Sequence, residues 1–288
     1  MRFKKSIISA LLLFSAGYIH AQDDLLNELN NKETPQKEIQ ADGFKALQIV
    51  NMQSTKLPSK GEWYMLVSHR FGDLTQGLNN FFGLDNALTK IGGIYGATSW
   101  LSIGASRHTY NKLYEVGLKY KLANQIKEGF PVTIVGYNTL DINTALKTDV
   151  YPYLKFSDRL AYTTQLLISR KFNEKFTFEL APIYVHKNLY DESLEQKNTY
   201  LIGAGARYKL AKRISANIEY AARILPEGFI SPYQNPLSAG IDIETGGHVF
   251  QLVFSNSQPM NDVAVFSNAA GKWLGGSLYF GFNMYREF

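Results

Sequence analysis

The sequence predicts an all-β chain, an antiparallel up-and-down transmembrane β-barrel of about 12 strands. Segments of roughly ten residues or more alternate between apolar and polar or small side chains, aromatic residues stand near both ends of the apolar faces, and tight turns alternate with long loops. Side chains two apart share one face of a strand, so each segment has one greasy face and one polar face. A soluble sandwich has the same period. Length separates the two: a tilted strand needs about ten residues to cross a bilayer, whereas strands of soluble domains run to about five or six. Rings with a polar tip near both strand ends also suit the two headgroup layers.

The expected strands are 61–71, 90–97, 99–107, 111–122, 130–141, 158–171, 174–187, 198–210, 213–224, 236–245, 247–256 and 275–288. In the fourth, Tyr114, Val116, Leu118 and Tyr120 oppose Glu115, Gly117 and Lys119. In the sixth, Leu160, Tyr162, Leu166 and Ile168 oppose Arg159, Thr163, Gln165 and Ser169. The seventh sets Phe176, Phe178 and Leu180 against Thr177 and Glu179; the eighth sets Tyr200, Ile202 and Tyr208 against Gly203, Gly205 and Arg207. In the ninth, Ile214, Ile218 and Tyr220 oppose Ser215, Glu219 and Arg223. Tight turns near 171–174, 210–213 and 245–247 would face the periplasm, and long loops near 188–198, 224–236 and 257–272 the exterior. An even strand number keeps both ends of a single-chain barrel on one side. The apolar stretch 44–54 is left over, as a periplasmic or lumen-inserted segment. An added strand at 150–156 would give the alternative of 14.

Composition agrees with this class. The 288 residues include 18 Tyr, 18 Phe and 3 Trp, with 45% apolar and 19% charged side chains. No stretch after residue 21 approaches the roughly 20 apolar residues of a membrane-spanning helix. There is no cysteine, which excludes disulfides, thiol catalysis, iron–sulfur clusters and a lipidated N-terminal cysteine. Arg2, Lys4 and Lys5 precede an apolar run over 7–18, and Ala21 closes a cleavage site, so residues 1–21 are expected to be a signal peptide for export. Residues 22–43 read as a flexible periplasmic leader, and 44–288 as the barrel domain. Three of the 30 basic residues and none of the 25 acidic ones lie in 1–21; the remainder is nearly balanced and implies no nucleic-acid partner.

The last strand places Leu278, Phe280, Phe282, Met284 and Phe288 on one face, against Ser277, Gly281, Asn283 and Glu287. This resembles the terminal assembly signal of bacterial outer-membrane barrels, with Arg286 standing where that pattern has an apolar residue. The resemblance implies outer-membrane lipid and the barrel-assembly machinery as partners. The stretch FKALQIVNMQSTKLPSKGEWYMLVSHRFGDL, residues 44–74, with His69, Arg70, Phe71 and Gly72 in succession, is similar to the start of an uncharacterised outer-membrane β-barrel family of the Bacteroidota. It departs from that family at Asn51 to Gln53. Membership implies a barrel with no assigned activity and supplies no catalytic residues. The tetrad itself reads as a turn after a strand.

No catalytic residues, metal ligands or cofactors are expected. A lipid-acting hydrolase would need Ser and His two apart on a lipid-facing strand. Ser106 and His108 have that spacing, in reverse order near a strand end. Histidines 69, 108, 186 and 248 do not pair at ligand spacing. Asp191, Glu192 and Glu195 read as a solvated acidic loop rather than a calcium site. The charges on expected inner faces are Glu115, Lys119, Arg159, Glu179, Arg207, Glu219, Arg223 and Asp242. On a lipid face near the midplane each would cost roughly 2–4 kcal/mol. They would either line a channel or pair across a filled lumen. The expected function is therefore non-enzymatic: a barrel passing or gating a small polar solute. Its alternative is a filled scaffold or binding barrel for an envelope protein, with a lipid-acting hydrolase third.

Overall fold

A computed structural model describes residues 38–288 of the chain. The expected signal peptide over 1–21 and most of the expected leader over 22–43 lie outside the described residues. Twelve strands follow one another: β1 (Trp63–Asp73), β2 (Leu88–Gly96), β3 (Leu101–His108), β4 (Tyr114–Ala123), β5 (Thr133–Ile142), β6 (Leu160–Lys171), β7 (Phe176–Lys187), β8 (Asn198–Ala211), β9 (Ile214–Ile224), β10 (Leu237–Thr245), β11 (His248–Ser255) and β12 (Tyr279–Glu287). Each pairs antiparallel with its sequence neighbours, and β1 pairs with β12 to close the barrel. Closure removes the unpaired strand edges that would otherwise template aggregation. The stretch 150–156 is loop, so the alternative of 14 strands does not arise.

The faces follow the sequence alternation. On β6, Thr163, Gln165, Leu167 and Ser169 are buried while Thr164 and Leu166 are exposed. Ile91, Ile103, Val116, Leu118, Leu180, Ile202, Ile218, Ile241 and Phe254 are exposed on the outer surface of their strands. An apolar surface this continuous is one that lipid, not water, would cover. Among the described residues no helix is long and apolar enough to cross a membrane; the strands do the crossing.

Connections at the rim bearing Trp63 and Phe288, here the inner rim, are mostly tight: 97–100, 172–175, 212–213 and 246–247. The opposite, outer rim carries the loops 74–87, 143–159, 188–197, 225–236 and 256–278. The alternation is not strict, since 124–132 is long on the inner side and 109–113 short on the outer side.

Residues 69–72 are not a turn. β1 continues through them to Asp73, with His69 and Phe71 outward and Arg70 inward. His69 stacks on Phe282 at 5.7 Å between ring centroids, and Phe71 on Phe280 at 5.8 Å. At the inner end of the same seam Phe288 stacks on Trp63 at 5.4 Å, Arg286 lies 4.6 Å over the Phe288 ring, and the Phe288 N–H donates to the Trp63 carbonyl at 3.0 Å. The seam is closed by aromatic pairs outside and by a close backbone approach inside. A Cβ added at Gly281 would lie 2.1 Å from the His69 carbonyl oxygen and 2.8 Å from Arg70 Cδ.

Gly281→Ala should therefore open the β1–β12 pairing. Overpacking of this kind costs ~1–3 kcal/mol. The barrel refolded in detergent should show a lower urea midpoint by tryptophan fluorescence; an unchanged midpoint would mean the seam tolerates the methyl group.

Candidate functional site

The interior of the barrel is occupied by the chain itself. Residues 44–57 lie inside it, with Phe44, Leu47, Ile49, Val50, Asn51, Met52 and Ser54 all buried. The segment doubles back at 50–51: Ile49 N–H donates to the Met52 carbonyl at 2.8 Å and Ser54 N–H to the Leu47 carbonyl at 3.1 Å. The leftover apolar stretch is thus a lumen segment, and it runs three residues further than its hydrophobicity suggested.

An irregular backbone cut off from water must find every hydrogen bond in the wall. The Glu219 carboxylate accepts from three successive amides, Val50 at 2.9 Å, Asn51 at 2.8 Å and Met52 at 2.9 Å. Glu179 accepts from Thr55 N–H at 3.1 Å. Cations take the carbonyls. Lys119 Nζ donates to Leu47 at 2.9 Å and Ser54 at 3.1 Å, and Arg207 Nη1 to Gly43 at 3.0 Å. Gln251 Nε2 donates to the Ile49 carbonyl at 3.0 Å and Asn283 Nδ2 to that of Val50 at 2.9 Å. The Asn51 side chain joins three strands: Nδ2 donates to Ser238 Oγ at 2.9 Å and Ser255 Oγ at 3.0 Å, while Oδ1 accepts from Arg70 Nη2 at 2.9 Å.

Wall glycines leave room for the segment. A Cβ at Gly205 would stand 2.3 Å from Ile49 Cδ1, and one at Gly203 2.6 Å from Met52 Cε. What remains open between the segment and β2–β4 is a cavity of about 40 Å³.

A second element enters from the outer side. Helix α1 (Asp262–Ser267), in the loop 256–278, is buried along its whole length. Val263, Val265 and Phe266 pack on Val135, Leu167, Ala181, Ile183, Val185 and Leu201. These wall residues point inward and are apolar, where the alternation had led us to expect small or polar ones. They form an internal greasy patch that receives the helix. Around it lies a polar network. Lys90 Nζ pairs with Glu115 Oε1 at 2.8 Å, Asn261 Nδ2 donates to Asp141 Oδ2 at 2.7 Å, and Gln165 donates to Asp262. Asp262 lies outside the strands; burial, and after it the Glu115 carboxylate, push its carboxyl up to about 7.

Above α1 the outer loops enclose a vestibule of about 590 Å³, walled by Tyr110, Asn143, Tyr151, Arg159, Lys187, Tyr190, Glu195 and Tyr233 and floored by Asp141, Asn261 and Asn268.

Of the eight expected inner-face charges, Glu115, Lys119, Glu179, Arg207, Glu219 and Asp242 are buried. Asp242 accepts from Asn217 at 2.6 Å and Gln251 at 2.8 Å. Arg159 and Arg223 stand at the outer end instead. Arg159 Nη1 donates to the Asn143 carbonyl at 3.1 Å, and Arg223 holds the loop at Ser231 and Tyr233. The assembly-signal residues Phe280, Phe282, Met284 and Phe288 all lie on the outer face or rim. Glu195 is not a freely solvated loop acid, because it pairs with Lys187 at 3.0 Å.

Sequence reasoning missed Arg70, Lys90, Asn51, Asp141, Gln251, Asn283 and Asp262. Arg70 shares the face of Tyr64, Leu66 and Ser68, a signal already present in the expected strand 61–71. For Asn51 and Asp262 no periodic signal exists, because neither lies on a strand.

Ser106 Oγ lies 3.0 Å from His108 Nε2, but both face the interior rather than lipid. Glu115 accepts from Ser106 at 3.2 Å, and His108 Nδ1 has no partner among the described residues. The group that would orient a catalytic base is not in place. Among the described residues no cluster of three or more His, Asp or Glu side chains is arranged to hold a metal ion.

Fold and interior together define a membrane-spanning β-barrel filled by its own chain. Residues 44–288 match the family described as membrane bound beta barrel domain (DUF5777), and the chain belongs to that family. No curated protein sequence matches significantly. Among solved structures it is loosely similar to the NanC porin (9% identity, TM-score 0.46, covering 78% of this chain and 98% of that one). The KdgM porin gives 8% identity and TM-score 0.46, covering 78% and 99%. The outer membrane protein Omp33 of Acinetobacter baumannii gives 11% and 0.40, covering 80% and 99%.

Glu219→Ala leaves three buried amides without an acceptor, each worth ~1–3 kcal/mol. Hydrogen exchange at 50–52 should accelerate by orders of magnitude while the strands stay protected; uniform protection would show that the carboxylate is dispensable. For Asp262 the folded carboxyl titrates near 7 against 3.8 for a free one. Its contribution to docking α1 is full below the lower value and is lost as pH rises through the upper. Protection of α1, corrected for intrinsic exchange, should accordingly fall over that interval, and the fall should vanish in Asp262→Asn.

Proposed function

We propose that the chain is a gated barrel of the bacterial outer membrane, without enzymatic activity, that receives a small polar solute in the outer vestibule and passes it inward when segment 44–57 shifts. One observation carries this reading. The segment that closes the lumen is held by polar side chains that take its backbone groups one at a time, and each such bond can be exchanged for a bond to water. Apolar contacts seat the segment as well, with Ala46 and Leu47 clustered with Tyr64, Leu66 and Tyr285, and Phe44, Ile49 and Val50 with Val253, but those contacts cover side chains and leave the peptide groups to these exchangeable bonds. The orientation that puts long loops outward and short turns in the periplasm fits the vestibule facing the exterior. The terminal strand, with Phe280, Phe282, Met284 and Phe288 outward, is proposed to be what the barrel-assembly machinery reads.

The density of bonds around Asn51 and Glu219 favours a second reading, a permanently filled barrel that serves as scaffold for an envelope protein. Planar-bilayer recording separates the two. The full chain should be mostly closed with brief openings, and Glu219→Ala or Asn51→Ala should raise open probability several-fold. Silent variants, shown to be folded by heat-dependent gel mobility, would remove the gate and leave the scaffold.

A further inference from the structure

We propose that the vestibule floor is a binding site for small organic cations, primary amines held by Asp141 and Asn261. The inference deepens the reading above and rests on the vestibule being where a solute is received.

The chemistry of the floor selects the ligand. Asp141 and Asn261 are each only 1% exposed and line the vestibule. The Asn261 amide is fixed by its bond from Nδ2 to Asp141 Oδ2 at 2.7 Å. That leaves Asp141 Oδ1 and Asn261 Oδ1, neither of which has a hydrogen-bond donor among the described residues. Both atoms accept. A buried acceptor without a donor is costly, and the occupant that relieves it must bring N–H or O–H groups. A carboxylate brings none.

Charge narrows the choice from donors in general to cations. The vestibule is lined by four carboxylates, Asp141, Asp158, Asp191 and Glu195, against two cationic side chains, Arg159 and Lys187. One of those cations is already engaged, since Lys187 Nζ pairs with Glu195 at 3.0 Å and donates to Asn268 Oδ1 at 2.7 Å. Behind the floor Glu115 adds a further carboxylate, which pairs with Lys90 at 2.8 Å. A concave surface with a carboxylate excess and low-dielectric walls concentrates cations. Tyr110, Tyr151, Tyr190 and Tyr233 in the wall offer ring faces that attract an ammonium group. The volume of about 590 Å³ is within the range of small-molecule sites.

Calorimetric titration of the barrel refolded in detergent micelles tests this, with 1,4-diaminobutane as probe and sorbitol and succinate as the neutral and anionic comparisons. The diamine should bind saturably and about tenfold or more tighter than either comparison. Asp141→Asn should weaken it by about tenfold, the scale of one charge-assisted bond. Glu195→Gln, which frees the Lys187 charge at the rim, should weaken it several-fold and serves if the first variant does not fold. Absence of saturable diamine binding, or equal binding of succinate or sorbitol, overturns the proposal. The two readings fail separately: diamine binding with silent bilayers removes solute passage alone, whereas conducting variants that do not prefer the diamine remove the cation site alone.

Discussion

The structure depends on one constraint: a non-strand backbone inside a barrel has no water to bond, so the wall must supply a partner for each of its polar groups. The inner-facing charges meet that demand directly. Anionic side chains take amides, as Glu219 does with three in succession, and cationic ones take carbonyls, as Lys119 does from two arms of the hairpin. Part of the mixed charge on the inner faces is thus engaged with the peptide groups of the segment inside. Lys90 with Glu115 and Arg207 with Glu244 are side-chain pairs of the ordinary kind, and Asp242 and Asp141 are held by the side-chain amides of Asn217, Gln251 and Asn261.

The lumen is divided by chemistry. Its inner part holds the segment 44–57 through hydrogen bonds to the backbone and through apolar contacts of Ala46, Leu47, Phe44, Ile49 and Val50 with the wall. Its outer part carries an apolar patch on β5–β8 that holds α1 by packing. The two elements meet in the apolar cluster that Met52 and Leu57 share with Val263, Val265 and Phe266, and where Gln53 Nε2 approaches Asp262 at 3.5 Å. Hydrogen bonds to a wall can be exchanged singly, while an apolar contact is lost only when the element leaves as a whole. In the proposed gate the inner segment is the adjustable element and α1 the floor of the vestibule.

Much of the wall was legible in the sequence because a strand exposes two environments with a period of two, lipid and interior, and selection for each leaves alternation behind. All twelve strands fall within a few residues of the expected spans, and Glu219, Glu179 and Lys119 were marked as inward by their neighbours alone. Residues 69–72 were misread because a His and a Gly at a strand end suggest a turn; only the pairing of Arg70 with Gly281 shows that the strand continues. The apolar inner residues Ile183 and Val185 broke the alternation and carried a meaning, the seat of α1, that no local pattern could disclose.

The sequence by itself determined that this chain makes a ring of membrane-crossing strands, because the hydrophobic period is a local property of each segment. What fills the ring was decided only in three dimensions. Asn51 reaches Arg70, Ser238 and Ser255, and Glu219 reaches 50–52, across separations of chain that carry no periodic signal. Those contacts exist because closing the barrel brings distant strands around a common axis, and the interior so formed is dry enough that every peptide group within it must be matched.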